Sequence, residues 1–334
     1  MPEPIRIATR QSPLALWQAN AVRDRLLESD PSQPVELLPM TTRADRWLET
    51  PLSKIGGKSL FVKELEQALF EGRADLAVHS MKDVTAVLPE GLVISTVMQR
   101  EDPFDAFVSN KYTGFEQLPQ GAIVGTCSPR RLTQLLAKRP DLTIRDLRGN
   151  VNTRLAKLDA GEFDAIILAC AGLRRLAFDE RIKQTLDTEL CLPAVGQGII
   201  GIETRSGDAA IQKRLESLHD NDSATRLSAE RAYSRALNGG CSAPIAGFST
   251  LAGDRLKMTA RVISMDGRIL LEASGERARG EAESLGESLA KELCAQGAQK
   301  VLDDAARAAA AAIELMPHEV ELAARRNNSG AKSE

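Results

Sequence analysis

The sequence predicts an α/β protein built from two lobes of similar plan, each with a mixed, mostly parallel sheet, followed by a small α+β domain. Three observations lead there. Short apolar strands alternate with helix-like segments along most of the chain. That order is stated once and then repeated. Beyond residue 250 the pattern changes to a hairpin followed by two helices. At 334 residues the chain also exceeds what one hydrophobic core usually spans, so two or three domains are expected.

The first lobe opens with Ile5-Arg6-Ile7-Ala8, which reads as a strand. Ser12-Pro13 then has the form of a helix N-cap followed by proline at the first helical position, where a missing N–H costs nothing. Leu14, Leu16, Trp17, Ala21 and Leu26 are the apolar residues available for the buried face of that helix. Residues 35–40 read as a second strand and 60–70 as a helix. Residues 75–78 read as a third strand, ending in His79-Ser80-Met81-Lys82-Asp83. The second lobe repeats the order: a strand over 122–124, a second cap-and-proline pair at Ser128-Pro129, and a helix carrying Leu132, Leu135 and Leu136. A strand over 142–144 and a helix over 151–158 follow. Gly161-Glu162-Phe163-Asp164 then leads into an apolar strand over 165–168, as Gly72-Arg73-Ala74-Asp75 leads into the third strand. In the last region, strands over 256–264 and 268–273 flank Asp266-Gly267, a hairpin-turn pair. Helices fit 282–293 and 305–313. From Pro317 the chain turns polar, and 317–334 reads as a disordered tail.

Composition excludes several classes of function. A net charge of −3 argues against a general nucleic-acid binder. No apolar run approaches the roughly 20 residues a membrane helix needs. Met1-Pro2-Glu3-Pro4 lacks the basic and apolar regions of a secretory signal. Five cysteines at 127, 170, 191, 241 and 294 form no CxxC pair, and the three histidines are far apart. Neither a disulfide framework nor a metal site is expected, and the reading is a reduced, cytoplasmic protein, monomeric by default. Charge is nevertheless uneven: residues 126–175 hold ten basic side chains, mostly arginine, against five acidic ones. Arginine suits bidentate contact with carboxylate or phosphate.

Four groups of residues could carry chemistry. Both Ser-Pro helix starts have arginine beside them, Arg10 before Ser12 and Arg130 and Arg131 after Ser128. Free N–H groups at a helix start and an adjacent guanidinium make an anion pocket. One such site alone reads more readily as an ordinary capped helix with a solvated arginine. Two matching sites, with Arg148-Gly149-Asn150 and Arg174-Arg175 after strands, favour anion binding at the strand ends where α/β ligands lie. Lys82-Asp83 directly follows a strand, which suits either chemistry or a plain surface ion pair. An aspartate among arginines should stay ionised and could stabilise a cationic intermediate. Cys241, in Gly239-Gly240-Cys241-Ser242-Ala243-Pro244, stands in a loop that would hold its thiol out of regular structure, whereas most single cysteines are buried hydrophobes. Gly56-Gly57-Lys58 lies in a polar segment from Thr42 to Ser59 that suits either a mobile lid or a surface loop.

Taken together these residues resemble the porphobilinogen deaminase family from about Ile5 to about Leu315. The motifs are Arg6-Ile7-Ala8-Thr9-Arg10-Gln11-Ser12-Pro13-Leu14-Ala15, His79-Ser80-Met81-Lys82-Asp83, Leu147-Arg148-Gly149-Asn150, Leu192-Pro193-Ala194-Val195-Gly196-Gln197-Gly198, and Glu230-Arg231 through Gly239-Gly240-Cys241 to Pro244. The resemblance implies two lobes like those of a type 2 periplasmic-binding-protein fold with the active cleft between them. Domain 1 would be discontinuous, over 1–98 and 199–217. Domain 2 would span 104–192, and domain 3, carrying Cys241, would span 222–315. It implies a dipyrromethane cofactor held by a thioether to Cys241, and porphobilinogen as the small-molecule substrate. Four porphobilinogens would be joined head to tail with loss of ammonia to give hydroxymethylbilane. Asp83 would be the catalytic residue, stabilising positive charge on the pyrroles. Arg10, Ser12, Lys82, Ser128, Arg130, Arg131, Arg148, Arg154 and Arg175 would bind acetate and propionate side chains, and Lys58 would belong to the lid. The chain departs from the family pattern at Thr85, Cys127, Pro129 and Ala243, none of them charged.

Two other readings compete. A two-lobed anion-binding module without catalysis explains the lobes and arginines but not Gly239-Gly240-Cys241 or a third domain. A thiol enzyme using Cys241 as a turnover nucleophile lacks a basic partner nearby in sequence.

Overall fold

In the computed structural model, which describes residues 3–42, 62–240 and 242–314, the chain forms three sheets. The first lobe holds β1 (Ile5–Arg10), β2 (Val35–Met40), β3 (Leu76–Ser80), β4 (Leu92–Val97) and β10 (Ile200–Arg205), in the order β2-β1-β3-β10-β4. The second holds β5 (Asp105–Val108), β6 (Ile123–Gly125), β7 (Thr143–Arg145), β8 (Ala165–Ala169) and β9 (Gln184–Leu186), in the order β7-β6-β8-β5-β9. The two orders share one plan, so the expectation of two similar α/β lobes is borne out. The mixture of strand directions is even. In each sheet the βαβ part is parallel, β1 with β2 and β3, and β6 with β7 and β8. The strand that follows a crossing between lobes, β10 or β5, is antiparallel to both its neighbours.

Local sequence explains the main elements. In β8, Ala165 and Ile167 face one core cluster of the second lobe, and Ile166 and Leu168 face the other. A strand buried on both faces needs an unbroken apolar run. The first-lobe sheet is covered on one face by α1 (Pro13–Ser29), where Val22 packs with Ile7, Leu76 and Ile202, and on the other by α2 (Lys63–Phe70), where Leu65 and Leu69 pack with Ala8 and Ala77. Ser12 caps α1 by accepting from the Ala15 N–H at 3.4 Å, with Pro13 in the first turn. The buried face of α1 corrects the expectation: it is Gln18, Ala19, Val22 and Leu26, and Trp17 is 41% exposed. Ala19, Val22 and Leu26 keep helical spacing, whereas the first turn of α1 turns toward the cleft, so its large apolar residues stay partly open.

The second-lobe helices are α3 (Pro129–Lys138), α4 (Val151–Asp159) and α5 (Cys170–Arg175). After β10 come α6 (Ala209–Leu215) and α7 (Asn221–Ala236), the latter packed on the third domain. That domain is a meander of β11 (Ile245–Ala252), β12 (Arg255–Ile263) and β13 (Leu270–Ala278), covered by α7 and α8 (Ala282–Ala295), with α9 (Ala298–Glu314) beyond. Tyr233, Met258, Leu285 and Leu289 are in its core. The hairpin at Asp266-Gly267 forms, but as a longer loop between Ile263 and Leu270, and β13 runs on to Ala278. Strand β11 and helix α7 are elements that the sequence patterns left unassigned. Lys58 with most of the 42–59 segment, Cys241, and the tail over 317–334 lie outside the described residues.

The three domains meet where the chain crosses between lobes. Arg100 and Glu230 form a buried pair at 2.6 Å, with side chains 1% and 0% exposed. Arg100 also donates through Nε to the Gln197 carbonyl, and Glu230 accepts from the backbone N–H groups of Gly196 and Ser249. One ion pair thus ties both crossing segments to α7 and β11. Gly198 has φ +87°, and a Cβ there would stand 2.4 Å from the Glu101 carbonyl oxygen, so only glycine lets the two crossing segments lie side by side.

Candidate functional site

The cleft is built from strand ends. Arg10 closes β1, and Ser12 starts α1 two residues later. β3 ends at Ser80 and passes into a single 3₁₀ turn, Met81–Asp83, which presents Lys82 and Asp83. Arg10, Ser12, Gln18, His79, Lys82 and Asp83 line one cavity on the first lobe. From the second lobe, Ser128 precedes α3, Asn150 caps α4 by accepting from the Thr153 N–H at 3.0 Å, and Arg175 ends α5. All these positions follow the carboxyl ends of strands, the usual ligand edge of an α/β sheet. Ser128 differs from Ser12 in making no side-chain cap bond.

Electrostatics bring the two lobes together. The Lys82 ammonium donates to Gln197 Oε1 at 3.3 Å. Burial, and then the positive charge of Arg131 across the cleft, push Lys82 down to about 8, although Asp83 and Asp105 pull the other way. Burial likewise lowers Arg154, with Arg131 and Arg148 adding repulsion while Cys127 and Asp83 oppose it. Asp83 of the first lobe is therefore within the field of Arg154 of the second. The Arg154 Nε donates to the Gly149 carbonyl at 2.8 Å. Arg148 stands 3.6 Å from Asp146. Arg175 donates to the Gly198 carbonyl at 2.8 Å and lies over the Trp17 ring, 5.6 Å from its centroid, which links α5 to α1 across the cleft. Burial pushes Arg175 down to about 10.

Arg130 and Arg131 turn inward. Both are buried on Asp105, the first residue of β5: Arg130 Nη1 donates to Oδ2 at 2.7 Å, and Arg131 Nη2 and Nε donate to Oδ1 at 2.6 and 3.0 Å. Arg130 also reaches the Leu192 carbonyl, and Arg131 the Ile167 carbonyl. Gln197 Nε2 donates to Asp105 at 3.0 Å, so one chain of contacts runs from Lys82 through Gln197 and Asp105 to both arginines. Asp105 and Gln197 are residues that sequence reasoning did not single out as site groups. Gln197 stood inside a quoted motif. Asp105 had only a weak signal, an acid opening a strand that is otherwise apolar. Arg231, another such residue, donates from α7 to the carbonyls of Thr85 and Ala86, just after Asp83, and so ties the third domain to that turn.

This donor set suits a ligand rich in carboxylates. Cationic groups of both lobes repel one another across the cleft, with Asp83 and Asp105 the acids within their field, and bound carboxylates would relieve that repulsion. A dipyrromethane with acetate and propionate side chains fits this requirement, and a carboxylate such as that of Asp83 is chemically able to accept from pyrrole N–H groups. Among the described residues, no cluster of three or more His, Cys, Asp or Glu side chains could hold a metal ion, and no helix is long and apolar enough to cross a membrane.

Comparison with known proteins points to the same cofactor. Residues 5–213 match the family model for the porphobilinogen deaminase dipyromethane cofactor binding domain, and residues 224–295 match that for the porphobilinogen deaminase C-terminal domain. Similar solved structures include a putative methionine-binding lipoprotein from Bacillus subtilis (12% identity, 64% of this chain and 89% of that chain, TM-score 0.41). A nutrient binding protein from Burkholderia cenocepacia bound to methionine is similar at 14% identity over 63% and 89%, TM-score 0.40. The periplasmic aliphatic sulphonate binding protein from Escherichia coli is similar at 14% identity over 71% of each chain, TM-score 0.37. The two family matches cover the cleft-forming lobes and the third domain, and with them comes a transferase role in tetrapyrrole synthesis. The chain belongs to the porphobilinogen deaminase family.

Proposed function

We propose that this chain condenses four porphobilinogen molecules head to tail on a dipyrromethane primer attached to Cys241, each addition releasing one ammonia, and that one water then cleaves the bond to the primer, which stays behind, and frees the linear tetrapyrrole hydroxymethylbilane. The observation that carries this reading is the Lys82-Asp83 turn, which lies within the field of Arg131 and Arg154 of the second lobe: a cleft carboxylate facing cationic groups, while the other acid in that field, Asp105, is buried and held by Arg130 and Arg131. The primer supplies the growing end to which each new ring is added. Asp83 accepts pyrrole N–H bonds and stabilises the positive charge that develops as ammonia departs. Arg10, Ser12, Lys82, Ser128, Arg148, Arg154 and Arg175 bind ring carboxylates. Arg130 and Arg131 hold the second lobe's face of the site through Asp105 and offer their remaining guanidinium surface to the ligand. Lys58 serves the lid. We assign 1–98 and 199–217 to the first domain, 104–192 to the second and 222–315 to the third.

The test is the intact mass and turnover of three proteins. The wild type should be heavier than its sequence by two porphobilinogens less two ammonias, Cys241→Ser should match its bare sequence, and Asp83→Asn should carry the extra mass while losing nearly all turnover. A wild type that stays at its sequence mass after incubation with porphobilinogen would leave an anion-binding module without catalysis. Ordinary turnover by Asp83→Asn would remove the role given to that carboxylate.

A further inference from the structure

Under the cleft, three ionisable side chains from three packed elements lie within one electrostatic field in the core of the first lobe. His79 on β3 and Glu203 on β10 join through Nε2 and Oε2 at 2.9 Å, with side chains 4% and 1% exposed. Glu66 on α2, which packs against both strands, is 5% exposed. Glu66 Oε1 and Glu203 Oε1 are buried and have no hydrogen-bond partner. A buried carboxylate oxygen without a donor has given up hydration for nothing, and two such groups in one field resist ionising together. A proton on one of them removes half of that buried negative charge. The cluster adjoins the site directly: His79 lines the same cavity as Lys82 and Asp83, and its strand runs straight into their turn.

We propose that Glu66 and Glu203 share a proton beneath the cleft, and that this pair, acting through His79, positions Lys82 and Asp83. Glu66 is then a positioning residue, and its effect on turnover rests on the roles given above to Lys82 and Asp83. The surroundings agree. Burial, and then the charge of Glu203, push the Glu66 carboxyl up to about 7, while His79 and Lys63 pull it down. The other charged groups on the packing elements are engaged elsewhere. On β1, Arg6 pairs with Asp75 and Arg10 lines the cleft. On β10, Arg205 donates to the Leu69 and Ala74 carbonyls. On α7, Arg231 lies within the field of Glu203 but donates to Thr85 and Ala86. Because the Glu66 value in the fold lies above that of an unfolded carboxyl, its contribution to stability is complete at acidic pH and is lost as pH rises through about 7.

The experiment uses the full chain with its primer in place. Infrared difference spectra across acidic to alkaline pH should show, in the wild type, the C=O band of a buried protonated carboxyl that disappears as pH rises through about 7. Glu66→Gln should lack that band, and its neutral amide should move the alkaline limb of kcat/KM to higher pH than in the wild type. A wild-type spectrum without a carboxyl band titrating in that range overturns the shared proton, whatever the variants do, and a band that persists in both Glu66→Gln and Glu203→Gln does the same. Alkaline limbs that coincide in wild type and Glu66→Gln overturn the positioning role. The infrared reading needs no turnover, so it separates failure of this inference from failure of the proposed reaction.

Discussion

Asp105 is a single buried acid shared by two buried arginines, Arg130 and Arg131. Burial by itself would raise its carboxyl, but Arg130 and Arg131 overcome that and hold it well below the usual carboxylate range. Its contribution to stability is therefore present above the ordinary carboxyl range and is lost as pH falls to strongly acidic values. Replacing it leaves two guanidiniums buried without their counter-charge. Asp105→Ala should cost about 3–5 kcal/mol, the usual penalty for breaking a buried pair, read as a shift in the denaturant midpoint at constant slope. A cost below about 1 kcal/mol would mean that water or the ligand compensates the arginines. The arginines themselves were legible from sequence as a cluster. Which of them turn inward was not, because that depends on an acid 25 residues away from Arg130 along the chain.

At the scale of elements, the packing of α7 against α8 sets a local preference against a tertiary one. Gly286 lies within α8, where alanine would be better by about 1 kcal/mol on helix propensity alone. A Cβ at that position, however, would stand 2.1 Å from the Ala229 carbonyl oxygen and 2.8 Å from the Tyr233 nitrogen, both backbone atoms of α7. The helices would have to separate, and Tyr233, whose hydroxyl donates to the Arg261 carbonyl, would shift with them. Gly286→Ala should therefore destabilise the third domain by about 1–3 kcal/mol, overpacking outweighing propensity. A rise in melting temperature would show that the helices separate freely. Helices with a cap and a regular apolar face, such as α4, were legible within a residue or two. α7 was not assigned, because its buried face mixes Leu227, Ala229 and Tyr233 with Ser223, Glu230 and Ser234, a pattern no apolar period detects.

For the whole molecule, the decisive contact is the Arg100–Glu230 pair, which joins both lobe crossings to the third domain. Arg100 also lies over the Phe248 ring of β11 at 5.1 Å from its centroid. Glu230→Ala strips Arg100 of its partner and leaves the Gly196 and Ser249 N–H groups without an acceptor. The expected loss is about 3–5 kcal/mol, with the unfolding transition broadening or splitting as the third domain loses its coupling to the lobes. A single sharp transition of unchanged midpoint would show that the interface holds by apolar packing alone.

The sequence by itself determined the α/β class, the repeated order of elements in the two lobes, the strand ends that carry the cleft residues and the motifs of the family. These are local: apolar period, cap chemistry and short runs of residues. Only the tertiary structure decided the insertion of β10 between β3 and β4, the antiparallel course of β5 and β10, the clasp of Arg130 and Arg131 on Asp105, and the placing of Glu66 within the field of the His79–Glu203 pair under the cleft. Most of these contacts join residues far apart in the chain: Arg130 and Asp105 are separated by 25 positions, and His79 and Glu203 by 124. The field at a buried charge is set by whichever groups the fold brings beside it, and no local pattern encodes that.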